Sequence, residues 1–481
     1  MKLKILIKNC AVEYGDIEIT TLCHEADKAK VGSLFFCLAG SKSDGHDFAS
    51  EAARLGASAV VCERKTDADC PQIIVPNTRA AFAEAASAFY GNPSRGLKMF
   101  GITGTNGKTT TSYVLAEILR EAGEEVGLIG TNCIRYCGHS ESATLTTPDP
   151  VELNAALRKM KDCGVTSVVM EVSAHALALD KICGIEFDVA GFTNLSQDHL
   201  DYFGDMESYA RAKEKLFHNG VCKCAAVNAD DALGQKLLRE SDVPVLGYGT
   251  MNPADVFGID LKMSAEGLSY IINLSDDIGE VKFALPGRFN MYNTLCAAAM
   301  AKLAGVGFAE ILHGIRSLKR VDGRYNVINT SKFSVIIDFA HTDDGLWNII
   351  TSVREFAPAR IITVFGCGGN RDRSKRKMMG KVASELSDLT VITSDNPRYE
   401  EPSDIIADTF EGVPENKRGS VFTEPDRKKA LRLALDTAES GDIVLVAGKG
   451  AERYQEIKGV KYEYNDEEYI MSLLQNGSAN D

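Results

Sequence analysis

Seven consecutive residues, Gly104-Thr105-Asn106-Gly107-Lys108-Thr109-Thr110, have the types and order needed to hold the phosphates of a nucleotide. Glycines let backbone N–H groups close on phosphate oxygens, Lys108 has the reach for the β- and γ-phosphates, and the Thr109 hydroxyl suits Mg²⁺. Ile102 stands where the strict GxxxxGK[ST] form has its first glycine, so the segment departs from the generic loop. Two further groups stand at the ends of apolar runs. Glu171 follows the run 167–170, and open parallel sheets bind ligands beyond the carboxyl ends of their strands. Taken alone, Glu171 is equally well read as a surface or capping carboxylate. Asp395-Asn396-Pro397-Arg398 closes the run 389–393; Pro397 holds Asn396 extended, and Arg398 can present a planar fork to a carboxylate.

Such groups need strand-to-loop and loop-to-helix junctions to position them. A strand is expected over 97–103 and a helix over 109–122, where Val114, Leu115, Ile118 and Leu119 recur at helical spacing before Gly123. The runs 165–170, 189–193 and 224–227 read as buried strands between helical segments, the pattern of a parallel sheet wrapped by helices. A second set, 334–338, 360–365, 389–393 and 442–446, repeats that pattern. Upstream, strands at 33–38 and 57–62 flank a helix at 48–55. Pro76 and Asn77 then cap an alanine-rich helix at 78–90, before the turn formers Gly91-Asn92-Pro93-Ser94. With a second turn at Val321-Asp322-Gly323-Arg324, the expectation is an α/β protein of three domains, 1–96, 97–319 and 320–481, ending in a polar, frayed tail at 476–481.

Length agrees, since 481 residues at about 150 per domain give roughly three. Apolar residues at 44% and charged residues at 25% are those of a globular protein with sizeable cores. A net charge of −14 disfavours long-range attraction to nucleic acid or anionic lipid, so any anionic ligand needs a local site. The 13 cysteines are dispersed, with no CxxC pair or zinc spacing, and read as reduced thiols. Lysines interrupt the apolar run at the start, and no apolar stretch of 18 residues occurs, so a cytoplasmic protein without membrane insertion is expected.

The phosphate loop and the motifs after it resemble, in order and over nearly the full length, the Mur ligase family of ATP-dependent amide ligases. Thr146-Thr147-Pro148 resembles that family's substrate-contacting turn, Glu171-Val172-Ser173-Ala174-His175 a segment whose glutamate binds magnesium, and Asn194-Leu195-Ser196-Gln197-Asp198-His199-Leu200-Asp201 a signature whose histidine is a second metal ligand. The resemblance implies a central P-loop ATPase-like parallel-sheet domain and a C-terminal Rossmann-like domain. It implies a metal set of Thr109, Glu171, His199 and Lys213, with Lys213 carbamylated; by itself Lys213 reads as a solvated lysine on a helix that Asp205 caps. Asn290 and Asn293, in Gly287-Arg288-Phe289-Asn290-Met291-Tyr292-Asn293, are implied near adenine and Arg324 near the phosphates; turn residues and a surface arginine are the plain alternatives. Lys108, Lys213 and His199 are the implied catalytic residues, while Thr146, Thr147, Ser173 and Lys181 are implied to contact a UDP-N-acetylmuramoyl dipeptide. Arg371, Asp395, Asn396, Pro397, Arg398, Gly448 and Glu452 are implied to hold the incoming amino acid, and Arg398 points to meso-diaminopimelate.

Several positions depart from the family pattern. Glu25-Ala26-Asp27 stands where an Asp-Ser-Arg segment is expected for the uridine nucleotide, although Asp44-Gly45-His46-Asp47-Phe48 matches. Ala174 replaces a serine, Asp343 a proline, Phe339 a tyrosine and Ala451 a histidine. The implied activity is that of an ADP-forming acid–amino-acid ligase using ATP and Mg²⁺, as a monomer, with ATP held between central and C-terminal domains that close on it. The competing readings are a relative adding lysine or another amine, a folate-polyglutamylating ligase, and a nucleotide-binding regulatory protein without ligase activity. His341, in Asp338-Phe339-Ala340-His341-Thr342, is either a base or a structural donor.

Overall fold

Short β-branched runs form the strands and the amphipathic stretches between them form the helices, in a computed structural model that describes residues 1–7, 11–40, 43–264, 266–355 and 359–477. Of the polar tail, 478–481 lie outside the described residues. The chain divides into two units: 1–101 with 124–190 and 215–223, and 102–123 with 191–214 and 224–481.

In the first unit a four-stranded parallel sheet runs in the order Thr21–Cys23, Ser33–Phe36, Ala57–Cys62 and Gln72–Ile74. Alternate residues face opposite sides of a strand. Leu34, Phe36 and Val61 accordingly pack with Phe82 and Ala86 of helix Thr78–Phe89, while Phe35, Val60 and Cys62 pack with Ala49 and Ala52 of helix Ala49–Arg54. The cap is as expected: Asn77 Oδ1 accepts from the N–H groups of Arg79 and Ala80, at 3.0 Å each. The same unit holds Ser167–Glu171 paired parallel with Val126–Ile129, which pairs antiparallel with Cys133–Tyr136, followed by His139–Ser142. No sequence signal pointed to that hairpin, since His139–Ser142 is exposed throughout and carries no apolar alternation. The reading of all cysteines as reduced thiols is corrected here. Cys137, in the hairpin turn, forms a disulfide with Cys163 at the end of helix Pro150–Asp162. Their sequence separation of 26 hid a contact made only when the hairpin folds beside the helix.

In the second unit 224–228, Val245–Gly249 and Val256–Ser264 pair in parallel and pass into an antiparallel meander with Gly267–Leu274 and Asp277–Phe283. The meander went unpredicted although Leu268, Tyr270, Ile272 and Leu274 alternate and are buried in its central strand; its outer strands expose polar residues. A six-stranded sheet runs Asn326–Asn329, Ser334–Asp338, Ile443–Ala447, Ile361–Cys367, Leu389–Ser394 and Val421–Glu424, parallel except for its first strand. Ile443–Ala447, last of these in sequence, lies between Ser334–Asp338 and Ile361–Cys367 and so creates a topological switch point. Residues 339–341, 366–369 and 448–450 therefore converge at carboxyl strand ends, where ligands bind in such sheets.

Candidate active site

In the second unit Gly107 takes left-handed geometry (φ 85°) as the N-cap of helix Lys108–Glu121, and Gly104 has φ 149°. A Cβ at Gly104 would stand 1.8 Å from Thr193 Oγ1, and one at Gly107 would stand 2.2 Å from Asn293 Oδ1, so both positions require glycine. Lys108 Nζ donates to the carbonyls of Gly104 and Thr105, at 2.8 Å each, folding back along the loop. The loop also meets the C-terminal segment of its own unit. Asn106 Nδ2 donates to Asp344 Oδ2 at 2.8 Å, and Arg324 Nη2 donates to Thr109 Oγ1 at 3.0 Å. The Arg324 guanidinium lies over the Phe339 ring at 4.4 Å, so the replacement of tyrosine retains the aromatic face. Asn290 and Asn293 are buried and bonded to each other at 3.0 Å, with Asn293 Oδ1 also accepting from Thr111 at 3.4 Å.

A residue that sequence reasoning missed joins these parts. Tyr209, buried one helical turn before Lys213, has its hydroxyl 3.3 Å from Thr105 Oγ1 and its ring 4.4 Å from Lys213 Nζ; the His199 ring lies 6.2 Å away. The i, i+4 spacing of Tyr209 and Lys213 on a short helix was the available signal. Lys213 is 1% exposed, contrary to the base-rate reading of a solvated lysine. Desolvation, with the nearby Lys108 charge, pushes its amine well below the ordinary lysine range, against the pull of Asp198 and Asp231.

His199 takes left-handed geometry (φ 57°) at the start of helix Leu200–Phe203. Its Nε2 is 3.3 Å from Asp198 Oδ2, and Asp198 also faces Lys375 at 3.4 Å and His341 at 3.8 Å. Burial opposes ionisation of Asp198, but Lys375, His341 and His199 outweigh it and hold the carboxyl below its usual range. His341 is pushed down to about 4 by burial and the Lys375 cation, against the attraction of Asp198. Its Nδ1 faces the Phe339 carbonyl at 2.9 Å and so carries the proton. His341 thus has a structural bond of its own.

At the carboxyl end of Leu389–Ser394, the Asp395-Asn396-Pro397-Arg398 turn is clamped by a hairpin, Tyr454–Ile457 with Val460–Glu463. Gln455 Nε2 donates to the Asp395 carbonyl at 2.8 Å, the Glu456 N–H to Asn396 Oδ1 at 2.9 Å, and the Arg398 N–H to the Glu456 carbonyl at 3.0 Å. Arg398 takes left-handed geometry (φ 51°), and its Nη1 donates to the Gly369 carbonyl at 2.8 Å. Against the effect of burial, Lys449 and Arg427 hold the Asp395 carboxyl below its usual range. Glu452 accepts from Lys449 Nζ and Asn396 Nδ2, at 2.9 Å each; a Cβ at Gly448 would stand 3.1 Å from Asp395 Oδ2; Arg371 is exposed beside Gly368.

The first unit holds a second constellation. Glu171 is buried at the end of its strand, accepting from the Thr131 N–H at 3.0 Å and the Thr131 hydroxyl at 2.9 Å. Thr131 Oγ1 is 3.1 Å from Thr146 Oγ1, and Thr147 Oγ1 donates to the Glu171 carbonyl at 2.9 Å while accepting from the Ser173 N–H at 3.0 Å. A cavity of about 550 Å³ in this unit is lined by Glu25, Asp27, Gly45, Phe48, Arg79 and Lys181 among others, so the departing Glu25-Ala26-Asp27 stretch forms part of its wall. Lys181 pairs with Asp149 at 2.7 Å, and Arg79 donates to the Ala39 carbonyl. Among the described residues no three His, Cys, Asp or Glu side chains converge as a metal cluster, and no helix is long and apolar enough to cross a membrane.

Three family domains match the chain: the Mur ligase family catalytic domain over 18–90, the Mur ligase middle domain over 102–301 and the Mur ligase glutamate ligase domain over 323–450. The chain belongs to the Mur ligase family. Among curated members, UDP-N-acetylmuramoyl-L-alanyl-D-glutamate--2,6-diaminopimelate ligase of Bacillus licheniformis is 42% identical over 477 residues, covering 97% of each chain. A solved structure of a ligase of that name superposes with a TM-score of 0.71 at 29% identity, covering 99% of each chain. The MurF ligase of Thermotoga maritima, solved with ADP, shares the fold at a TM-score of 0.64 and 20% identity, covering 96% of this chain and 97% of its own. The Mur ligase architecture, with its parallel-sheet α/β domains, is therefore the architecture of this chain. Of the residues singled out in the sequence, the structure gathers the phosphate loop, Arg324, His199 and Lys213 in one unit, and Glu171, Thr146, Thr147, Ser173 and Lys181 in the other.

Proposed function

We propose that this chain is an ATP-dependent ligase that joins meso-2,6-diaminopimelate to the D-glutamate of UDP-N-acetylmuramoyl-L-alanyl-D-glutamate, releasing ADP and phosphate, in peptidoglycan synthesis. It acts as a monomer in the cytoplasm, with the domain limits 1–96, 97–319 and 320–481. The 42% identity with a ligase of that name over nearly the whole chain supports the reaction. The observation that carries the choice of amine is Arg398, whose guanidinium is fixed on one side by the Gly369 carbonyl and stays 20% exposed on a turn clamped by a hairpin. A planar fork held in this way suits a distal carboxylate, which lysine lacks.

In the proposed reaction a carboxylate oxygen of the D-glutamate residue attacks the γ-phosphorus of ATP. An O–P bond forms as the bond to the ADP oxygen breaks, leaving an acyl phosphate. The diaminopimelate amine then adds to the acyl carbon, the C–O bond to phosphate breaks, and the nitrogen loses a proton. Lys108, Arg324 and the loop N–H groups place positive charge where the phosphoryl oxygens gain negative charge. In the second unit Thr109, His199 and Lys213 are the residues that would hold Mg²⁺, which would offset phosphate charge, and in the first unit Glu171 offers an oxygen donor of the kind Mg²⁺ prefers. An amine does not suit that ion, but burial shifts Lys213 well below the ordinary lysine range, which favours the unprotonated nitrogen that can attack CO₂. A new N–C bond with loss of a proton turns it into an anionic carbamate. The first-unit cavity takes the nucleotide sugar, with Arg79 and Lys181 as the cations for its diphosphate. Arg371, Asp395, Asn396, Gly448 and Glu452 line the amine site with Arg398.

The test is product mass after incubation with ATP, Mg²⁺, bicarbonate and the UDP-dipeptide, with diaminopimelate or lysine in parallel. A tripeptide product with diaminopimelate alone is expected. Product with lysine alone overturns the choice of amine, and no product with either overturns the ligase reading.

A further inference from the structure

Oxidation state sets two cysteines apart from the rest. Among the described residues Cys137 and Cys163 are bonded to each other, and every other cysteine is a free thiol. The bond lies at the surface, with Cys163 exposed and Cys137 half-buried. Cys137 and Gly138 form the two-residue turn between Cys133–Tyr136 and His139–Ser142, both with positive φ (45° and 76°), so a tight turn holds the first sulfur in place. Cys163 is the C-cap of helix Pro150–Asp162. Each sulfur also lies 3.3 Å from a backbone carbonyl, Cys137 from that of Cys163 and Cys163 from that of Met160. Those carbonyls can accept from the two S–H groups, so the reduced pair is accommodated as well as the bonded one.

The bond closes a ring of chain that holds part of the first-unit cavity. Asp149 and Pro150, where the helix begins, line that cavity, and Asp149 pairs with Lys181, another lining residue, at 2.7 Å. Thr146 and Thr147, in the same ring, meet Thr131, Glu171 and Ser173. The ring has little else to hold its first part. His139–Ser142 is exposed throughout and, among the described residues, pairs only with Cys133–Tyr136. We infer that Cys137 and Cys163 form a dithiol–disulfide exchange site through which a dithiol reductant lowers the affinity of the cavity for the UDP-dipeptide. A thiolate of the reductant attacks the exposed Cys163 Sγ, the bond to Cys137 breaks, and Cys137 leaves as a thiolate that takes a proton. The second thiol of the reductant then attacks its own sulfur in the mixed disulfide and releases Cys163 as a thiol. Two electrons and two protons pass to the pair, and the dithiol becomes a disulfide. The closed ring has fewer conformations to lose when substrate binds, so the oxidised chain is the preorganised one. The choice of substrate rests on the proposed function, whereas the exchange itself does not.

The full-length enzyme is compared after oxidation by glutathione disulfide and after reduction by dithiothreitol, with N-ethylmaleimide labelling read by peptide mass. Cys137 and Cys163 should be labelled only after reduction, while circular dichroism stays that of the folded chain. KM for the UDP-dipeptide should be about fivefold higher in the reduced enzyme, with KM for ATP the same within about twofold. In the variant carrying Cys137→Ser and Cys163→Ser, KM should stay at the higher value under both treatments. Labelling of the pair in the oxidised enzyme overturns the exchange site. Equal KM in the two states overturns its effect on the cavity, and a redox difference that survives in the double variant assigns that effect to another thiol. Cys163→Ala, a change at the exposed end alone, carries the comparison if the double variant does not fold. Failure of the ligase reading would show separately, as no product in either state, with the labelling still deciding the exchange.

Discussion

Lys213 shows how far a single side chain's environment can overturn its type. A lysine on a charged helix is ordinarily solvated, yet this one is buried against Tyr209 and desolvation pushes its amine well below the ordinary lysine range. Protonation competes with carbamylation, so the carbamate should grow as pH rises and fall as pH drops. A ¹³C carbamate signal is expected after incubation with ¹³C-bicarbonate, absent in Lys213→Ala, and ligase turnover should fall when CO₂ is removed. The linkage sign is consistent: the amine titrates lower in the folded chain than the ordinary 10.5, so between those values the unfolded chain binds the extra proton and stability rises with pH. At this scale the phosphate loop was legible because its residues are contiguous. Tyr209 was not, because its role comes from Thr105, about a hundred residues upstream.

Strand ends and turns set the site, and two substitutions test them. Gly104→Ala combines φ 149° with a Cβ placed 1.8 Å from Thr193 Oγ1, so the loop or Thr193 must move. Nucleotide binding measured by calorimetry should weaken at least tenfold while circular dichroism stays that of a folded chain. Arg427, buried in helix Arg427–Thr437, donates to both carboxylate oxygens of Asp466, at 2.8 and 2.7 Å, and to the carbonyls of Ser394 and Ala447 at the ends of two strands of the sheet. Arg427→Ala would leave Asp466 buried without its cation and should lower stability by about 3–5 kcal/mol, read by urea unfolding. The individual strands were legible from β-branched runs, and Ala57–Cys62 and Ser334–Asp338 stand where they were expected. The hairpin joined to the disulfide carried no such pattern, whereas the alternation of Leu268, Tyr270, Ile272 and Leu274 in the meander was a signal that went unread.

For the molecule as a whole, the net charge of −14 leaves anion binding to local donors, and the phosphate loop supplies them beside Arg324 in one unit. ATP with Mg²⁺ at a hundredfold its Kd should therefore stabilise the native chain by about 2.7 kcal/mol, seen as a raised melting temperature. Lys108→Ala should remove most of that shift and abolish ligase turnover. A full shift in the variant would place the nucleotide elsewhere.

The sequence by itself determined what depends on near neighbours: the α/β class, the phosphate loop between strand and helix, and the strand-end positions of Glu171, Asp338 and Arg398. Periodicity and glycine geometry act over a few residues, so they can be read along the chain. Tertiary structure alone decided which strand end stands beside which, with Ile443–Ala447 inserted between Ser334–Asp338 and Ile361–Cys367. It also decided the burial that lowers the Lys213 amine, the Cys137–Cys163 bond, and the approach of Glu456 to Arg398. Those outcomes depend on desolvation and on contacts between distant segments, which exist only once the chain has packed.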